Sequence, residues 1–338
     1  MTPTVAGVDI GGTTTQVILC APDLTVLDRV EVPTPAAAGG TAMVGAALDA
    51  VRLLLAREET RRPGSTGPSG DTRLLGVGIG AAGVVDARAG RVLVASDSFR
   101  EWAGFAVTAA VESALGVPAF LDNDVNAFLR GEATAGAVAG ETHVLGMTLG
   151  TGVGGALWLD GALYDGPHGA AGEIGHVPGF GDLPCTCGGR GHLETLASGR
   201  AIAARYEKQY GEKYGERHRE KHREQYRERY GDRSGQRALS ARDVAKAAED
   251  GDLAARAVFE TAGTAVARAV LLTAGLLDIT TVVVGGGVTG SWDLLAAPID
   301  RALAAEPPVS GHPLRVLPAQ LGGDAVAVGA AARAWAEL

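Results

Sequence analysis

Two stretches of this chain share one design. Val8-Asp9-Ile10-Gly11-Gly12-Thr13, running on to Leu19, and Met147-Thr148-Leu149-Gly150-Thr151-Gly152, running on to Leu159, each read as strand, glycine turn, strand. This recurrence constrains the fold more than any other feature, because a repeated unit implies two lobes built on one plan. Two lobes that each present a glycine turn can hold a polyphosphate through backbone N–H groups, which glycine leaves uncovered. The alternative is two unrelated hairpins in a glycine-rich chain. Glycine supplies 50 of the 338 residues, about twice the usual ~7% share, so an isolated glycine motif carries little weight here.

The remaining pattern fits an α/β chain. Val5–Asp9, Gln16–Cys20 and Val26–Val32 read as strands, with turns at Gly11-Gly12 and Asp23. Residues 41–57 have a helical pattern, 61–73 form a polar Pro/Gly loop, Leu74–Ile79 and Pro118–Leu121 are strands, and Val125–Ala137 is helical. His143–Leu149 and Gly155–Leu159 are strands around the Gly150–Gly154 turn, and Asp160-Gly161 is a hairpin turn. Ser240–Ala248, Leu253–Leu277 and 324–338 are helical, Thr281–Val284 is a strand leading into Gly285-Gly286-Gly287, and Ser291 is placed to cap a helix over 292–304. Within 206–233, Tyr206, Tyr210, Tyr214, His218, His222, Tyr226 and Tyr230 fall every fourth residue among seven acids and nine bases. Mixed charge at this density reads as a charged helical or disordered insertion over 206–237, not as a metal or nucleic-acid tract.

Charge and composition exclude several classes. The net charge of -9 and pI of about 5.3 leave no basic footprint for nucleic acid. The start, MTPTVAGVDIGG, lacks the basic and apolar regions of a signal peptide, and Arg268 and Asp278 interrupt the best apolar stretch, 262–288, so no membrane partner is expected. Three cysteines, Cys20, Cys185 and Cys187, argue against a disulfide scaffold and fit a reducing cytoplasm. The G-x-G-x-x-G pattern occurs at Gly78–Gly83, Gly150–Gly155 and Gly285–Gly290, but none has the strand, helix and distal acid of a dinucleotide fingerprint. No G-x-x-x-x-G-K-[ST] is present, which excludes a P-loop enzyme.

Two segments carry sharper chemistry. His176, Cys185, Cys187 and His192 place two imidazoles and two thiols within 17 residues among Gly and Pro. That is the four-ligand N/S set of a closed tetrahedral Zn²⁺ site, and a C-x-C pair makes a poor disulfide. Asp122-Asn123-Asp124-Val125-Asn126 stands where a strand ends and a helix begins. One Asx residue suffices to cap a helix. Four in a cluster leave a surplus for a site, and strand C-terminal ends are where open α/β sheets bind ligands.

Taken together, Asp9-Ile10-Gly11-Gly12-Thr13, Asn123-Asp124-x-Asn126, Leu149-Gly150-Thr151-Gly152-x-Gly154-Gly155, Gly172-Glu173-Ile174-Gly175-His176, Cys185-x-Cys187-Gly188-x-x-Gly191 and Gly285-Gly286-Gly287 resemble the ROK (repressor, open reading frame, kinase) family in identity and order. The resemblance covers nearly the whole chain outside 206–237, and Gly80-Ala81-Ala82-Gly83 with Ala319-Gln320-Leu321-Gly322-Gly323 is most similar to its actinobacterial glucokinase branch. It implies an actin-like ATPase (ribonuclease H-like) α/β fold of two lobes around a nucleotide and sugar cleft. A small lobe would comprise 1–121 plus 323–338 and a large one 122–322, the latter carrying the zinc-binding segment 173–194.

The implied activity is ATP-dependent phosphorylation of a hexose hydroxyl. Glucose comes first by branch, with N-acetylglucosamine, N-acetylmannosamine, fructose and mannose as alternatives and polyphosphate as an alternative donor. A non-catalytic sugar-sensing regulator is the alternative of another class. By the resemblance Asp124 is the catalytic base, and Asn123, Glu173, His176, Glu194 and Gly83 contact the sugar. Asp9, Gly11, Gly12, Thr13, Thr14, Gly150, Thr151, Gly152, Gly285, Gly286 and Gly287 would serve ATP with Mg²⁺. His176, Cys185, Cys187 and His192 would hold a structural zinc, with His192 standing where the family usually has a third cysteine. Thr14 stands where Lys or Asn is common, and Ala82 where Pro is frequent. A cytoplasmic homodimer or homotetramer is expected from the family.

Overall fold

The computed structural model describes residues 2–61, 72–96, 98–214 and 239–338. Most of the expected 61–73 loop, and the expected insertion beyond Tyr214, lie outside the described residues. Two five-stranded sheets carry the fold. The first comprises β1 (Thr2–Ile10), β2 (Thr14–Cys20), β3 (Val26–Pro33), β4 (Thr72–Ala81) and β7 (Ala119–Asn123), in the order β3-β2-β1-β4-β7. β1 and β2 are antiparallel, as are β2 and β3, whereas β4 runs parallel to β1 and β7 parallel to β4. The second sheet comprises β8 (Val144–Leu149), β9 (Val153–Leu159), β10 (Ala162–Leu163), β11 (Thr281–Gly285) and β12 (Arg315–Pro318), in the order β10-β9-β8-β11-β12. Both sheets follow the spatial order third, second, first, fourth, fifth, so the repeat seen in the sequence is a repeat of topology, as the ribonuclease H-like expectation requires. A small hairpin, β5 (Val84–Asp86) with β6 (Arg91–Val94), had no expectation attached to it.

The chain forms two compact units. The first contains Met1–Gly146, Ala156–Gly172 and Ala319–Leu338; the second contains Met147–Gly155 and Glu173–Pro318. In the first unit, helix α1 (Gly40–Arg61) packs on β2 and β3, and α2 (Val107–Leu115) packs on α1 and β7. The core there is aliphatic: Val8, Ile10, Val17, Leu19, Met43, Leu54, Val77, Ile79 and Leu121 are almost wholly buried around Trp102. α3 (Asp124–Ala135) and the closing α9 (Ala325–Glu337) pack on each other, and α9 also covers β1 and β4.

Small residues make that contact close. A Cβ on Gly78 would lie 1.7 Å from the Ala330 carbonyl oxygen, and one on Gly329 would lie 1.7 Å from that of Ala127. Both lie far inside van der Waals contact, so glycine is obligatory where α9 meets β4 and where it meets α3. Glu132 of α3 locks the approach to α9. Its fully buried carboxylate accepts from the backbone N–H of Ala137 (2.8 Å), Gln320 (3.0 Å) and Leu321 (2.8 Å).

In the second unit, α4 (Glu194–Ala197), α5 (Gly199–Tyr214), α6 (Ala241–Glu249) and α7 (Leu253–Leu277) pack together, with α8 (Trp292–Ala305) against α7. α6 begins with a capping box at Ser240 and Asp243, which satisfies two orphan N–H groups at once. Asp252 caps α7 by accepting from Ala254 and Ala255. Ser291 holds the N-cap position of α8, but its side chain makes no capping bond; the 3-10 turn over Gly287–Ser291 feeds directly into the helix. Tyr206 is also not an insertion residue. It is buried, and its hydroxyl donates to Asp252 Oδ2 at 2.8 Å, so α5 belongs to the core at that point. α7 is long and apolar enough to cross a membrane by length and composition, and more than half of that stretch is buried within the fold.

Candidate functional site

In the first unit, three parallel strands end side by side. Register places Asp9 opposite Gly80, Gly80 opposite Asp122, and Ala81 opposite Asn123. The Asx cluster that follows divides its labour. Asn123 is the cap: its Oδ1 accepts from Val125 N at 2.8 Å and Asn126 N at 3.2 Å. Its Nδ2 donates to the Gly83 carbonyl at 2.9 Å and to Asp124 Oδ1 at 2.9 Å. Asn123 and Gly83, both expected at the sugar, are therefore bonded to each other. Gly83 adopts φ 110°, and a Cβ there would lie 2.4 Å from the Val94 carbonyl, so only glycine fits.

Asp124 opens α3, and its Oδ1 also accepts from Val125 N at 3.0 Å. A carboxylate in the first helical turn sits at the positive end of the helix dipole. Asp9 lies near enough for the two charges to repel. Burial first, and the Asp124 charge second, push the Asp9 carboxyl up to about 7. Asp122 turns the other way. Arg333 of α9 donates to Asp122 Oδ1 at 2.6 Å and to the Leu121 carbonyl at 2.6 Å, and Arg130 of α3 donates to Asp122 Oδ2 at 3.3 Å. Burial pushes the Asp122 carboxyl above its usual range, and the two guanidiniums pull it back. Asn126 Nδ2 donates to Asp165 Oδ1 at 2.9 Å, on one wall of a cavity of about 510 Å³ lined also by Asn123, Asp86 and His168.

The first glycine turn closes with Gly11 N donating to the Thr14 carbonyl at 3.1 Å, leaving Gly12 and Thr13 exposed at its tip. The second unit holds the matching turn, where Gly150 N donates to the Gly152 carbonyl at 2.9 Å. Gly286 comes up against it from the adjacent strand end: at φ 89°, a Cβ there would lie 2.6 Å from the Leu149 carbonyl. Gly150, Thr151, Gly199, Arg200, Ser240 and Gly287 line a cavity of about 720 Å³, a size suited to a nucleotide-class ligand.

The second unit also gathers the four metal-ligand candidates. Cys185 Sγ lies 3.7 Å from His176 Nδ1, and Cys187 Sγ lies 3.3 Å from His192 Nδ1. All four ligand atoms fall within 4.8 Å of one another. Tetrahedral zinc with bonds of about 2.0–2.3 Å sets its ligand atoms about 3.3–3.8 Å apart, so this N₂S₂ set fits the ion with small adjustments. Tight backbone turns shape the loop: Cys185 N donates to the Gly189 carbonyl at 2.8 Å, and Gly188 and Gly191 take φ 89° and 65°. Desolvation, with Glu194 adding to it, raises the Cys185 thiol above its ordinary value.

Glu173 precedes the 3-10 turn Ile174–His176, and Gly175 packs so tightly on β9 that a Cβ would lie 2.0 Å from the Val153 carbonyl. Glu194, expected at the sugar, is mostly buried: Oε2 accepts from Val153 N at 3.1 Å, and Oε1 accepts from Thr186 at 2.9 Å and Arg200 at 3.2 Å. Four partners were not anticipated from sequence, namely Arg130, Arg333, Asp165 and Arg200. None stands in a motif, and Arg333 lies 211 residues from the carboxylate it serves.

Known proteins similar to this chain match it over almost its whole length. A sequence profile of the ROK family matches residues 5–337. The chain is 32% identical over 328 residues to a glucokinase of Halalkalibacterium halodurans, covering 96% of this chain and 92% of that one. It is also 32% identical to a glucokinase of Streptomyces coelicolor, over 96% and 95% of the two chains. Among solved structures, a ROK family glucokinase from Streptomyces griseus in complex with glucose and AMPPNP superposes with a TM-score of 0.77. It has 31% identity and covers 98% of this chain and 99% of that one.

Proposed function

The chain belongs to the ROK family, and from that premise we propose that it is an ATP-dependent sugar kinase that phosphorylates a hexose hydroxyl, with glucose as its first acceptor. The observation that carries the reading is Asp124. This carboxylate opens a helix at the C-terminal end of β7, is held by the Asn123 amide and the Val125 N–H, and faces the like charge of Asp9.

Phosphoryl transfer asks for alignment and charge neutralisation more than for covalent chemistry. In this reading Asp124 accepts the proton of the attacking sugar hydroxyl as it bonds to γ-phosphorus. Asn123 orients it, fixed in turn by Gly83. Glu173, His176 and Glu194 take the other sugar hydroxyls, as carboxylate and imidazole acceptors can. The exposed tip Gly12–Thr13, with Gly11 and Thr14 beside it, and the Gly150–Gly152 turn hold phosphate oxygens by backbone N–H groups. Gly285–Gly287 frame the nucleotide side, in line with the cavity that Gly150, Thr151 and Gly287 line. Mg²⁺, when bound with the nucleotide, would neutralise phosphate charge, and Asp9, whose negative form burial and then the Asp124 charge disfavour until a cation is near, is the group that would hold its water shell. His176, Cys185, Cys187 and His192 would hold a structural zinc that orders the loop from Glu173 to Glu194; the mutual closeness of their ligand atoms supports it. A cytoplasmic homodimer or homotetramer accompanies this reading on family grounds.

The test is ADP release on adding each of glucose, mannose, fructose, N-acetylglucosamine and N-acetylmannosamine, with polyphosphate tried as donor. Glucose should turn over fastest, and Asp124→Asn should retain glucose binding but lose at least ~100-fold in kcat. Binding of a sugar with no phosphorylation of any would overturn the kinase reading in favour of a sensor. Near-normal turnover in Asp124→Asn would remove that residue from the base role.

A further inference from the structure

Arg200 lies outside every motif, yet it stands between two parts of the second unit. Its predecessor Gly199 donates its N–H to the Gly150 carbonyl at 2.8 Å, so Arg200 sets out from the second glycine turn itself. Its Nη2 reaches Glu194 Oε1 at 3.2 Å and Thr186 Oγ1 at 3.3 Å. Glu194 rests on the same turn from the other side: Oε2 accepts from Val153 N at 3.1 Å, and a Cβ on Gly152 would lie 2.5 Å from that oxygen. Arg200 also lines two cavities. One is the cavity of about 720 Å³ with Gly150, Thr151 and Gly287; the other, of about 270 Å³, contains Cys185, Thr186 and Glu194. The Glu194 side chain is 10% exposed and that of Arg200 52%, so a buried carboxylate is neutralised by a cation that ligands can reach.

The geometry points to Arg200 as a positioning residue that couples nucleotide binding to Glu194. The inference rests on the reading above, in which the Gly150–Gly152 turn takes ATP phosphates and Glu194 takes a sugar hydroxyl. As the structure stands, Glu194 Oε1 is surrounded by the Arg200 guanidinium, the Thr186 hydroxyl and, at 3.8 Å, Cys185 Sγ. A carboxylate oxygen offers about two lone-pair sites, so none is open to a sugar hydroxyl. A polyphosphate on the adjacent turn brings several negative charges into the cavity that Arg200 lines. Guanidinium bonds phosphate strongly and in a fork, and a half-exposed arginine is free to follow it. As Arg200 turns to the phosphate, an acceptor site opens on Glu194 Oε1, and a sugar hydroxyl donates into it. Nucleotide therefore tightens sugar binding, and linkage requires sugar to tighten nucleotide binding by the same factor.

The experiment is calorimetric titration of glucose into the zinc-replete protein with and without saturating AMPPNP, for wild type, Arg200→Met and Arg200→Lys. In wild type, AMPPNP should lower the glucose Kd by at least about 5-fold. In Arg200→Met the ratio should fall to about one, while glucose alone binds no more weakly than in wild type, because Glu194 Oε1 is already open. Arg200→Lys, which keeps a charge without the fork, should give an intermediate ratio, and it is the variant to read if thermal unfolding shows Arg200→Met to be misfolded. A wild-type ratio retained in both variants overturns the inference, as does a ratio of one in a wild-type protein that still phosphorylates glucose. Wild type that neither binds nor phosphorylates any hexose overturns the functional reading beneath it instead.

Discussion

Replacing Asp9 by Asn should make the metal-free protein more stable at neutral and alkaline pH. The carboxyl of Asp9 ionises at its ordinary value of 3.8 in the unfolded chain and at about 7 in the native one. The native state therefore holds the proton more tightly. That stabilisation is complete below 3.8 and is lost as pH rises through 7, where the native protein must carry a desolvated charge beside Asp124. A shift of about 3 units corresponds to about 4 kcal/mol at pH 8 and about 1.5 kcal/mol at pH 5, so the stability gap between Asp9→Asn and wild type should widen by about 2 to 3 kcal/mol over that range. These are ceilings, since Asp9 keeps some surface that water screens. Urea unfolding of both proteins in chelator, at several pH values between 5 and 8, measures the gap directly. Mg²⁺ with AMPPNP should close it, because a cation bound there favours the ionised form. A gap that stays flat with pH, or a variant less stable than wild type at pH 8, would refute the placement of a strained carboxylate at the end of β1.

Other perturbations probe the rest of the assembly. Arg333→Met strips the closer guanidinium from the buried Asp122 and should cost about 3 kcal/mol, read as a shift in urea midpoint; adding Asp122→Asn should recover part of that loss. Gly329→Ala forces a Cβ onto the Ala127 carbonyl oxygen, 1.7 Å away, and should cost about 3 kcal/mol by prying α9 from α3, with tolerance of the substitution arguing against so close a helix contact. Metal analysis should find one zinc per chain, and His192→Ala should weaken its retention by more than about 100-fold while raising the glucose KM. Chelated protein with unchanged glucose KM would separate the zinc from the sugar loop.

Much of this site was legible along the chain because its determinants are local. The glycine turns at Gly11-Gly12 and Gly150–Gly152 close through backbone bonds between near neighbours, and both appear where the pattern put them. The four zinc candidates lie within one loop, so short range alone brings their ligand atoms together. The Asx cluster at Asp122–Asn126 announced a helix start with polar side chains to spare, and α3 begins there. The misses were of another kind. Ser291 has the chemistry of a cap, but its backbone arrives from a 3-10 turn in a conformation that leaves the side chain unused. Tyr206 shares a repeat with the low-complexity tract, yet it is a core residue because Asp252, 46 positions on, is there to receive its hydroxyl.

Residue types and spacing written in the sequence thus located the two glycine turns and the loop that gathers the four metal-ligand candidates, since each depends on a few adjacent residues. Tertiary structure alone decided which member of the Asx cluster caps the helix, which is clamped by arginines and which is left in the first turn of α3, where the proposed base stands. It likewise decided that Arg200 would stand between the glycine turn and Glu194. Those outcomes depend on strand register and helix packing that join residues as far apart as Asp122 and Arg333. No local pattern encodes such a partner, because which buried charge meets which is fixed only when the whole core closes.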